Sequence, residues 1–369
     1  MATGRTATVR NRKRCAPEDG SSGPGKPKGG DSMPPRGATE PPYIECPPLA
    51  TGAYGKWFTD LGVWAPTVEW VARRHGLGAP GTVSVGVPGS HPVFLTAAGY
   101  VVKFYAPHWP EAHAAEVAVY DVLAGAGGGL AGPAVPRVLA RGAVFPGSER
   151  WPWPYLVCTR VPGRSAGELG AALTPQDRLA MASALGPAVR ALHALAPGAT
   201  HAMAEHARAR LEALGHTAVE RLRGEGTWPE GLLAGVPAYL NAASTASAAI
   251  DPRLVHADLS RDHILLARRG PGWAFSGLID FADAQVVDPA YELVALHVDL
   301  FGCDRRLLVA FLRGYGGEGA LGPDWRRRAT AFVLLFPNSL GSALSTGLVN
   351  WPLLRTPRDL EEVLWPGRL

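Results

Sequence analysis

Three side chains in the last third of the chain have the types and spacing for phosphate chemistry. Asp258 follows a His-Ala pair, His263 comes five residues later, and a later apolar run ends at Asp280. Two strand-like segments between the carboxylates are joined by a Gly-Pro-Gly turn, which predicts a hairpin. Such a hairpin can hold both carboxylates at one mouth, one to orient a hydroxyl and one to hold a metal. Phosphoryl transfer needs that pairing, because its catalysis is mostly positioning and neutralisation of phosphate charge.

Four motifs occur in a fixed order over residues 254–293. They are His256-Ala257-Asp258, His263, Ile279-Asp280-Phe281 and Asp288-Pro289-Ala290-Tyr291-Glu292-Leu293. In this order and spacing the stretch resembles the catalytic core of the aminoglycoside phosphotransferase family, small-molecule kinases with a protein-kinase-like fold. Ala257 departs from the family pattern by replacing Gly, and His263 by replacing a metal-binding Asn. The macrolide phosphotransferase branch is similar to this chain in having His there.

The resemblance assigns a role to each motif. It implies that Asp258 orients the acceptor hydroxyl and that Asp280 binds a magnesium ion bridging the nucleotide phosphates. Imidazole is a poorer magnesium ligand than a carboxylate or amide oxygen, so His263 could touch the metal, a phosphate or an intervening water. His256 is expected to brace the loop. Asp288 is expected to be structural and to cap the helix that starts at Pro289.

The first half of the chain carries the expected nucleotide site. Strand patterns cover residues 83–87, 93–96 and 100–105, and the turn between the first two contains Gly89 and Ser90. Their backbone N–H groups would approach phosphate oxygens. Lys103 lies in an apolar strand, where an unpaired charge costs several kcal/mol. The resemblance pairs Lys103 with Glu116 of the helix at 111–123, so that the lysine holds the α- and β-phosphates.

A buried strand at residues 154–159 ends in a Pro-Gly break and resembles the hinge between the two lobes of the family. If it is the hinge, the Thr159 carbonyl and the Val161 amide face the adenine, with Cys158 behind it. The sequence leaves this assignment of the hinge residues open, because contacts made by the backbone place little restriction on the side chains at these positions.

The resulting fold prediction is α+β, a two-lobed protein-kinase-like fold with a small antiparallel sheet lobe and a mainly helical second lobe. Three regions are expected: a disordered basic head at 1–48, a nucleotide-binding lobe at 49–162 that ends in the hinge, and a helical acceptor lobe at 163–369. Helical patterns cover residues 66–75, 175–195, 201–223, 291–300, 305–315 and 325–336.

The composition of the chain indicates its size class, its cellular compartment and the partners it is expected to bind. The chain has 369 residues, 47% of them apolar, which is enough for two lobes around a cleft. No apolar run reaches the roughly 20 residues of a membrane span, and four scattered cysteines favour reduced thiols in the cytoplasm. Residues 1–40 hold eight basic and four acidic side chains, which accounts for the whole net charge of +4. Residues 41–369 therefore have no net charge, and nucleic acid is not expected as a partner of this part of the chain.

The sequence thus favours an enzyme that uses ATP or GTP and Mg²⁺ to phosphorylate a hydroxyl of a small molecule. Only eight positions separate Asp280 from Asp288, which leaves no room for the activation segment of a conventional protein kinase. A non-catalytic, nucleotide-binding regulatory protein is the alternative that Ala257 and His263 support. A nucleic-acid-binding adaptor working through the basic head is a third. The sequence leaves the acceptor and the oligomeric state open.

Overall fold

The structure is a computed structural model, and it describes residues 41, 44, 54–127, 130, 134–195, 201–336 and 354–365. All of them belong to the unit Thr39–Leu369. Apart from Pro41 and Ile44, the predicted head at 1–48 lies outside these residues. No helix of the described residues is long and apolar enough to cross a membrane.

The first lobe contains a five-stranded antiparallel sheet in the order β1-β2-β3-β5-β4. Its strands are β1 Val83–Val85, β2 Val93–Thr96, β3 Tyr100–Phe104, β4 Val138–Ala143 and β5 Pro154–Thr159. Helix α3, Ala112–Gly125, follows β3. Val93 pairs with Lys103, and Lys103 pairs with Leu156 on the other side. Because side chains alternate along a strand, these three residues share one face of the sheet.

The opposite face of the sheet packs on two N-terminal helices, α1 Tyr54–Phe58 and α2 Leu61–Arg74. Trp64 is fully buried there, with its ring 4.8 Å from Phe104 and 5.8 Å from Phe94. The prediction of a helix starting at Pro66 was wrong. Asp60 caps α2 by accepting a hydrogen bond from the Gly62 N–H, and the proline lies inside the helix.

The second lobe is mainly helical. Its longer helices are α5 Pro175–His193, α6 His201–Gly224, α7 Glu230–Ser247, α9 Arg305–Tyr315, α10 Trp325–Leu335 and α11 Pro357–Leu364, and its short ones are α4 Ala166–Leu169 and α8 Leu293–Ala295. Helices α5 and α9 pack closely at Gly186 and Gly314. A β-carbon on either glycine would overlap the backbone of the other helix. That contact explains why both positions are glycine despite its poor helix propensity.

Two small sheets carry the predicted catalytic stretch. Strand β7, Arg253–Val255, pairs with β10, Gln285–Val287. Strands β6, Arg164–Ser165, β8, Ile264–Arg269, and β9, Gly272–Leu278, form the other sheet. Ala134 joins the lobes, because its N–H donates to Ser276 and its carbonyl accepts from the Leu278 N–H. The predicted hairpin between the two carboxylates is confirmed as β8–β9.

A second helical prediction needs correction, and one helix was not predicted at all. The expected helix at 291–300 is a composite of a 3₁₀ turn Pro289–Glu292, helix α8 and a π-helical turn Leu296–Leu300. Helix α7 was not predicted. Its residues alternate small and large apolar side chains around Pro237, which weakens the helical period in the sequence.

Candidate active site

Lys103 is the centre of the candidate site. It projects from β3 with 8% of its surface exposed, and its Nζ lies 2.8 Å from Glu116 Oε2 and 2.6 Å from Asp280 Oδ1. Burial by itself lowers the pKa of Lys103, but the charges and hydrogen bonds of the two carboxylates more than reverse this and hold the lysine protonated. The ion pair therefore links β3 and the helix that follows it to Asp280, which is 177 residues away from Lys103 in the sequence.

Glu116 reaches this lysine from helix α3 and is 2% exposed. Its carboxylate accepts hydrogen bonds from the hydroxyls of Tyr105, at 2.6 Å, and Tyr120, at 2.9 Å. The Phe281 N–H donates to it at 3.3 Å. A buried carboxylate is tolerated when its oxygens are bonded in this way. These three hydrogen bonds fix the position of the Glu116 carboxylate beside Lys103.

Asp280 follows strand β9 with a positive φ of 64°, which turns its carboxylate back into the cleft between the lobes. Its Oδ1 accepts hydrogen bonds from Lys103 Nζ and, at 3.3 Å, from the Ala282 N–H. Burial alone raises the pKa of Asp280, but the positive charge of Lys103 holds it well below its usual range. The carboxylate is ionised throughout the physiological range.

Asp258 and His263 face each other beside Asp280. His263 Nδ1 donates to the Asp258 backbone carbonyl at 2.9 Å and lies 3.2 Å from Asp258 Oδ2. His263 Nε2 points the other way, 3.7 Å from Asp280 Oδ2. Burial lowers the pKa of His263, but its hydrogen bond to Asp258 and the two carboxylate charges raise it to about 10. One imidazole thus connects Asp258, the predicted catalytic carboxylate, with Asp280, the predicted metal-binding one.

A buried acid holds the backbone of the loop that carries Asp258. Glu292 accepts hydrogen bonds from the N–H groups of His256, at 2.7 Å, and Ala257, at 3.0 Å. Ala257 has a φ of 68°, in the left-handed region that non-glycine residues avoid. His256 Nε2–H donates to the Ile279 carbonyl at 3.0 Å, which ties the loop to the end of β9.

The loop between β1 and β2, residues 86–92, contains Gly89 and Ser90, and both are exposed. Within the described chain, neither residue hydrogen-bonds to the lysine–carboxylate group. Gly89 lines a cavity of about 470 Å³ between this loop and helix α1, together with Tyr54, Phe58, Val85 and His91. Within the described residues, the backbone N–H groups of Gly89 and Ser90 donate no hydrogen bond to another backbone group.

The hinge candidates and Asp288 lie at the margins of this group. Cys158 pairs with Val101 and so shares the face of Lys103, and burial raises the pKa of its thiol to about 12. Thr159 donates its N–H to the Arg137 carbonyl, and Val161 is buried against β9. Asp288 accepts from the Ala290 N–H at 2.9 Å and is ion-paired with the fully buried Arg328.

A family model described as the phosphotransferase enzyme family matches residues 87–330, about two thirds of the chain and all the residues of the candidate cluster. The chain belongs to this family. The resemblance inferred from the four motifs is confirmed, and the activity expected of the protein is that of a phosphotransferase.

Solved structures of phosphotransferases are similar to this one. The GDP complex of wild-type aminoglycoside 2'-phosphotransferase-IIIa has a TM-score of 0.58 and 20% identity, with 80% of this chain and 94% of that chain covered. The ternary complex of APH(2")-IIa with streptomycin and ATP has a TM-score of 0.53 and 16% identity, with coverage of 76% and 96%. Macrolide 2'-phosphotransferase type I has a TM-score of 0.50 and 21% identity, with coverage of 82% and 97%. These likenesses confirm the predicted protein-kinase-like fold.

The phosphotransferase offers one carboxylate to a metal ion. Across the described residues, no group of three or more His, Cys, Asp or Glu side chains is placed to hold one. Asp280 supplies the carboxylate oxygen that magnesium prefers, and its Oδ2 faces His263 rather than Lys103. Magnesium usually keeps waters and phosphate oxygens as its other ligands. Asp280 therefore fits a magnesium ion that is shared with a nucleotide, whereas the raised pKa of His263 keeps its imidazole protonated, so that it carries charge beside the site rather than a lone pair for the metal.

Several residues of the site were not singled out from the sequence. Tyr105 and Tyr120 satisfy Glu116, Glu292 holds the Asp258 loop, and His91 packs against Tyr105. The strand alternation that selects Lys103 also selects Tyr105, two residues later, and could have identified it. The role of Glu292 carries no such signal, because it depends on contacts across 35 residues of sequence.

Proposed function

We propose that this phosphotransferase transfers the γ-phosphoryl group of ATP or GTP to a hydroxyl of a small molecule. Asp258 is the residue that orients the acceptor hydroxyl, and Lys103 holds the nucleotide phosphates. The observation that carries the proposal is the convergence of Lys103, Glu116 and Asp280, with Asp258 linked to Asp280 through His263. Phosphoryl transfer needs a cation on the phosphates and a carboxylate at the acceptor, side by side.

The nucleotide half of the proposal rests on the preformed ion pair. Two carboxylates hold the Lys103 ammonium group, so its orientation toward the cleft does not depend on a bound nucleotide. A magnesium ion bound by Asp280 and assisted by His263 would neutralise phosphate charge there. Relatives of similar fold were solved with GDP and with ATP, which supports a purine nucleotide for this chain. The proposed nucleotide lobe is residues 49–162.

The acceptor half rests on the segment after Asp280. Strand β10 begins at Gln285 and the 3₁₀ turn at Pro289, so the chain returns to the core within a few residues. A protein substrate would have no activation segment to dock on. One relative of similar fold is a GDP and kanamycin complex, with a TM-score of 0.56 and 18% identity over 78% of this chain and 97% of that one. We propose a small hydroxylated acceptor held by residues 163–369, and phosphorylation in the cytoplasm, where reduced thiols and nucleotides coexist.

The decisive experiment measures magnesium-dependent turnover of ATP and GTP over a panel of hydroxylated compounds that includes aminoglycosides and macrolides. Wild type is compared with Asp258→Asn and Asp280→Asn. The matched control is Asp121→Asn, whose carboxylate is exposed and, among the described residues, pairs with Arg141 at the surface. We expect acceptor-stimulated turnover in wild type and control, and its loss in both site variants. Nucleotide binding without turnover on any acceptor would instead indicate a regulatory protein.

A further inference from the structure

His91 lies on the nucleotide face of the sheet. It precedes β2 by two residues, and Val93 of that strand pairs with Lys103. The Phe104 N–H donates to the Pro92 carbonyl, which continues the pairing and places His91 opposite Tyr105. The two rings are 5.1 Å apart, and Lys103 Nζ is 5.4 Å from the centre of the Tyr105 ring. By strand alternation, the imidazole therefore shares the face of Lys103.

The tautomer of His91 follows from one hydrogen bond. The Ala106 N–H donates to His91 Nδ1 at 3.1 Å, so Nδ1 carries a lone pair and the ring proton is on Nε2. Among the described residues, Nε2 makes no hydrogen bond, although the residue is only 7% exposed. Burial, together with the positive charge of Lys103, lowers the pKa of His91 to about 3. The ring is a neutral donor at neutral pH.

The surroundings of Nε2–H select its ligand. The loop that carries His91 also carries Gly89 and Ser90, and the nearest charges that act on the ring are those of Lys103 and Asp280. Asp280 Oδ1 already accepts hydrogen bonds from Lys103 and the Ala282 N–H, and Asp280 Oδ2 faces His263. A donor of this kind beside a lysine is complementary to an anion with several acceptor oxygens.

We propose that His91 Nε2–H donates a hydrogen bond to a phosphate oxygen of the bound nucleoside triphosphate. This inference rests on the proposed kinase function and adds a binding residue to its nucleotide site. A neutral imidazole supplies direction without adding charge, whereas Lys103 supplies charge. Hydrogen bonds to charged groups are stronger than those between neutral groups, so loss of this donor weakens ATP binding by about ten- to a hundredfold.

Two amide variants separate the phosphate contact from the structural contact of the same ring. In His91→Asn the side-chain oxygen can replace Nδ1 as acceptor for the Ala106 N–H, but the donor at the Nε2 position is gone. In His91→Gln the amide N–H₂ can reach the Nε2 position. The matched control is His75→Gln, because His75 belongs to the same lobe and its Nε2 is bonded to the Tyr155 hydroxyl on the other face.

The measurement is calorimetric binding of ATP, ADP and adenosine with magnesium present and no acceptor, together with the melting temperature of each variant. We expect His91→Asn to melt near wild type and to bind ATP about ten- to a hundredfold more weakly, with adenosine binding unchanged. His91→Gln should recover most of the affinity, and His75→Gln should bind as wild type does. A loss confined to ATP assigns the contact to the γ-phosphate, and a loss shared by ADP assigns it to the α- or β-phosphate.

Wild-type affinity for ATP in His91→Asn would overturn the inference, as would equal losses in the Asn and Gln variants. These results leave the proposed function intact if wild type still binds ATP and phosphorylates an acceptor. Wild type that binds no nucleotide would refute the proposed function itself, and it would do so before any His91 variant is compared. The two failures are therefore distinguishable.

Discussion

Glu292 accepts a hydrogen bond at 3.0 Å from the backbone N–H of Ala257, the residue next to the proposed catalytic carboxylate. The same carboxylate binds the neighbouring His256 N–H and lies 3.1 Å from His193 Nε2. His193 is in turn 2.8 Å from the Tyr315 hydroxyl. A buried chain of polar contacts therefore fixes a backbone turn that Ala257 can adopt only at a steric cost, since its φ is 68°.

The strain at this turn predicts that Ala257→Gly stabilises the protein. Left-handed backbone costs a non-glycine residue about 1–2 kcal/mol, and the added chain entropy of glycine offsets part of that gain. We expect the free energy of unfolding to rise by about 0.5–1 kcal/mol, with turnover retained. Urea denaturation monitored by tryptophan fluorescence measures the change.

The control for this prediction is Ala114→Gly, in an exposed position of helix α3. There the same substitution should lower the free energy of unfolding by about 1 kcal/mol, because the backbone is already helical. If both variants were destabilised alike, Ala257 would not be strained in solution, and the contact with Glu292 would not be compensating for anything.

The catalytic hairpin could be predicted from the sequence because its signals are local. The two strand-like segments, the Gly-Pro-Gly turn and the carboxylates at either end all lie within residues 256–280, and the structure forms β8 and β9 there. Lys103 was recognisable for a similar reason, as one charge in an apolar strand. The local sequence pattern was enough to predict a residue when the residues around it in the structure are also its neighbours in the sequence.

Glu292 was missed because its role depends on a distant contact: it is 35 residues from Ala257, whose N–H donates to it. The start of α2 was misplaced because Pro66 is a strong helix-start signal, whereas the Asp60 cap lies six residues earlier. The Asp60 cap is also a local signal, and it sets the start of the helix there.

The paired lysine predicts the effect of removing its charge. Lys103→Met keeps the apolar stem but leaves Glu116 and Asp280 facing each other without a cation. Removing one member of a buried charge pair costs about 2–5 kcal/mol, so we expect kcat/KM for the nucleotide to fall by about a hundredfold or more. Steady-state kinetics at saturating acceptor measures it.

Two measurements test whether misfolding, or the loss of any lysine in this lobe, explains a lower rate. The folded fraction of Lys103→Met is determined by circular dichroism, and rates are compared per folded molecule. Lys56→Met is the matched control, because Lys56 is exposed on helix α1 of the same lobe. A folded Lys103→Met enzyme with wild-type kinetics would contradict the assignment of Lys103 to the phosphates.

His263 beside Asp280 predicts a change in metal dependence. An amide oxygen is a better magnesium ligand than an imidazole nitrogen, so His263→Asn should keep turnover and reach half-maximal rate at a lower magnesium concentration, by roughly twofold or more. His216→Asn, exposed on helix α6, is the control and should not differ from wild type. A magnesium requirement raised in the Asn variant would show that the imidazole itself is needed.

Buried His297 predicts how stability depends on pH. It lies in the π-helical turn, where its Nε2–H donates to the Leu364 carbonyl at 2.8 Å and its ring contacts Trp365. Nδ1 is buried with no hydrogen-bond partner in the described structure. Burial lowers the pKa of His297 to about 4, while its backbone hydrogen bond opposes that shift. Protonating this ring therefore works against the docking of helix α11.

Between pH 6.5 and 4 the unfolded chain binds a proton at this position that the folded protein does not, so the free energy of unfolding falls as the pH falls. From pH 7.5 to pH 5 the contribution of His297 to the free energy of unfolding falls by about 2 kcal/mol.

His297→Gln keeps a donor for the Leu364 carbonyl and does not titrate. We expect urea denaturation at the two pH values to show a smaller loss for the variant than for wild type, by about that amount. Groups such as His91, whose pKa is also lowered, titrate in both proteins and cancel in the comparison. Equal pH dependence in the two proteins would mean that His297 is hydrated when folded.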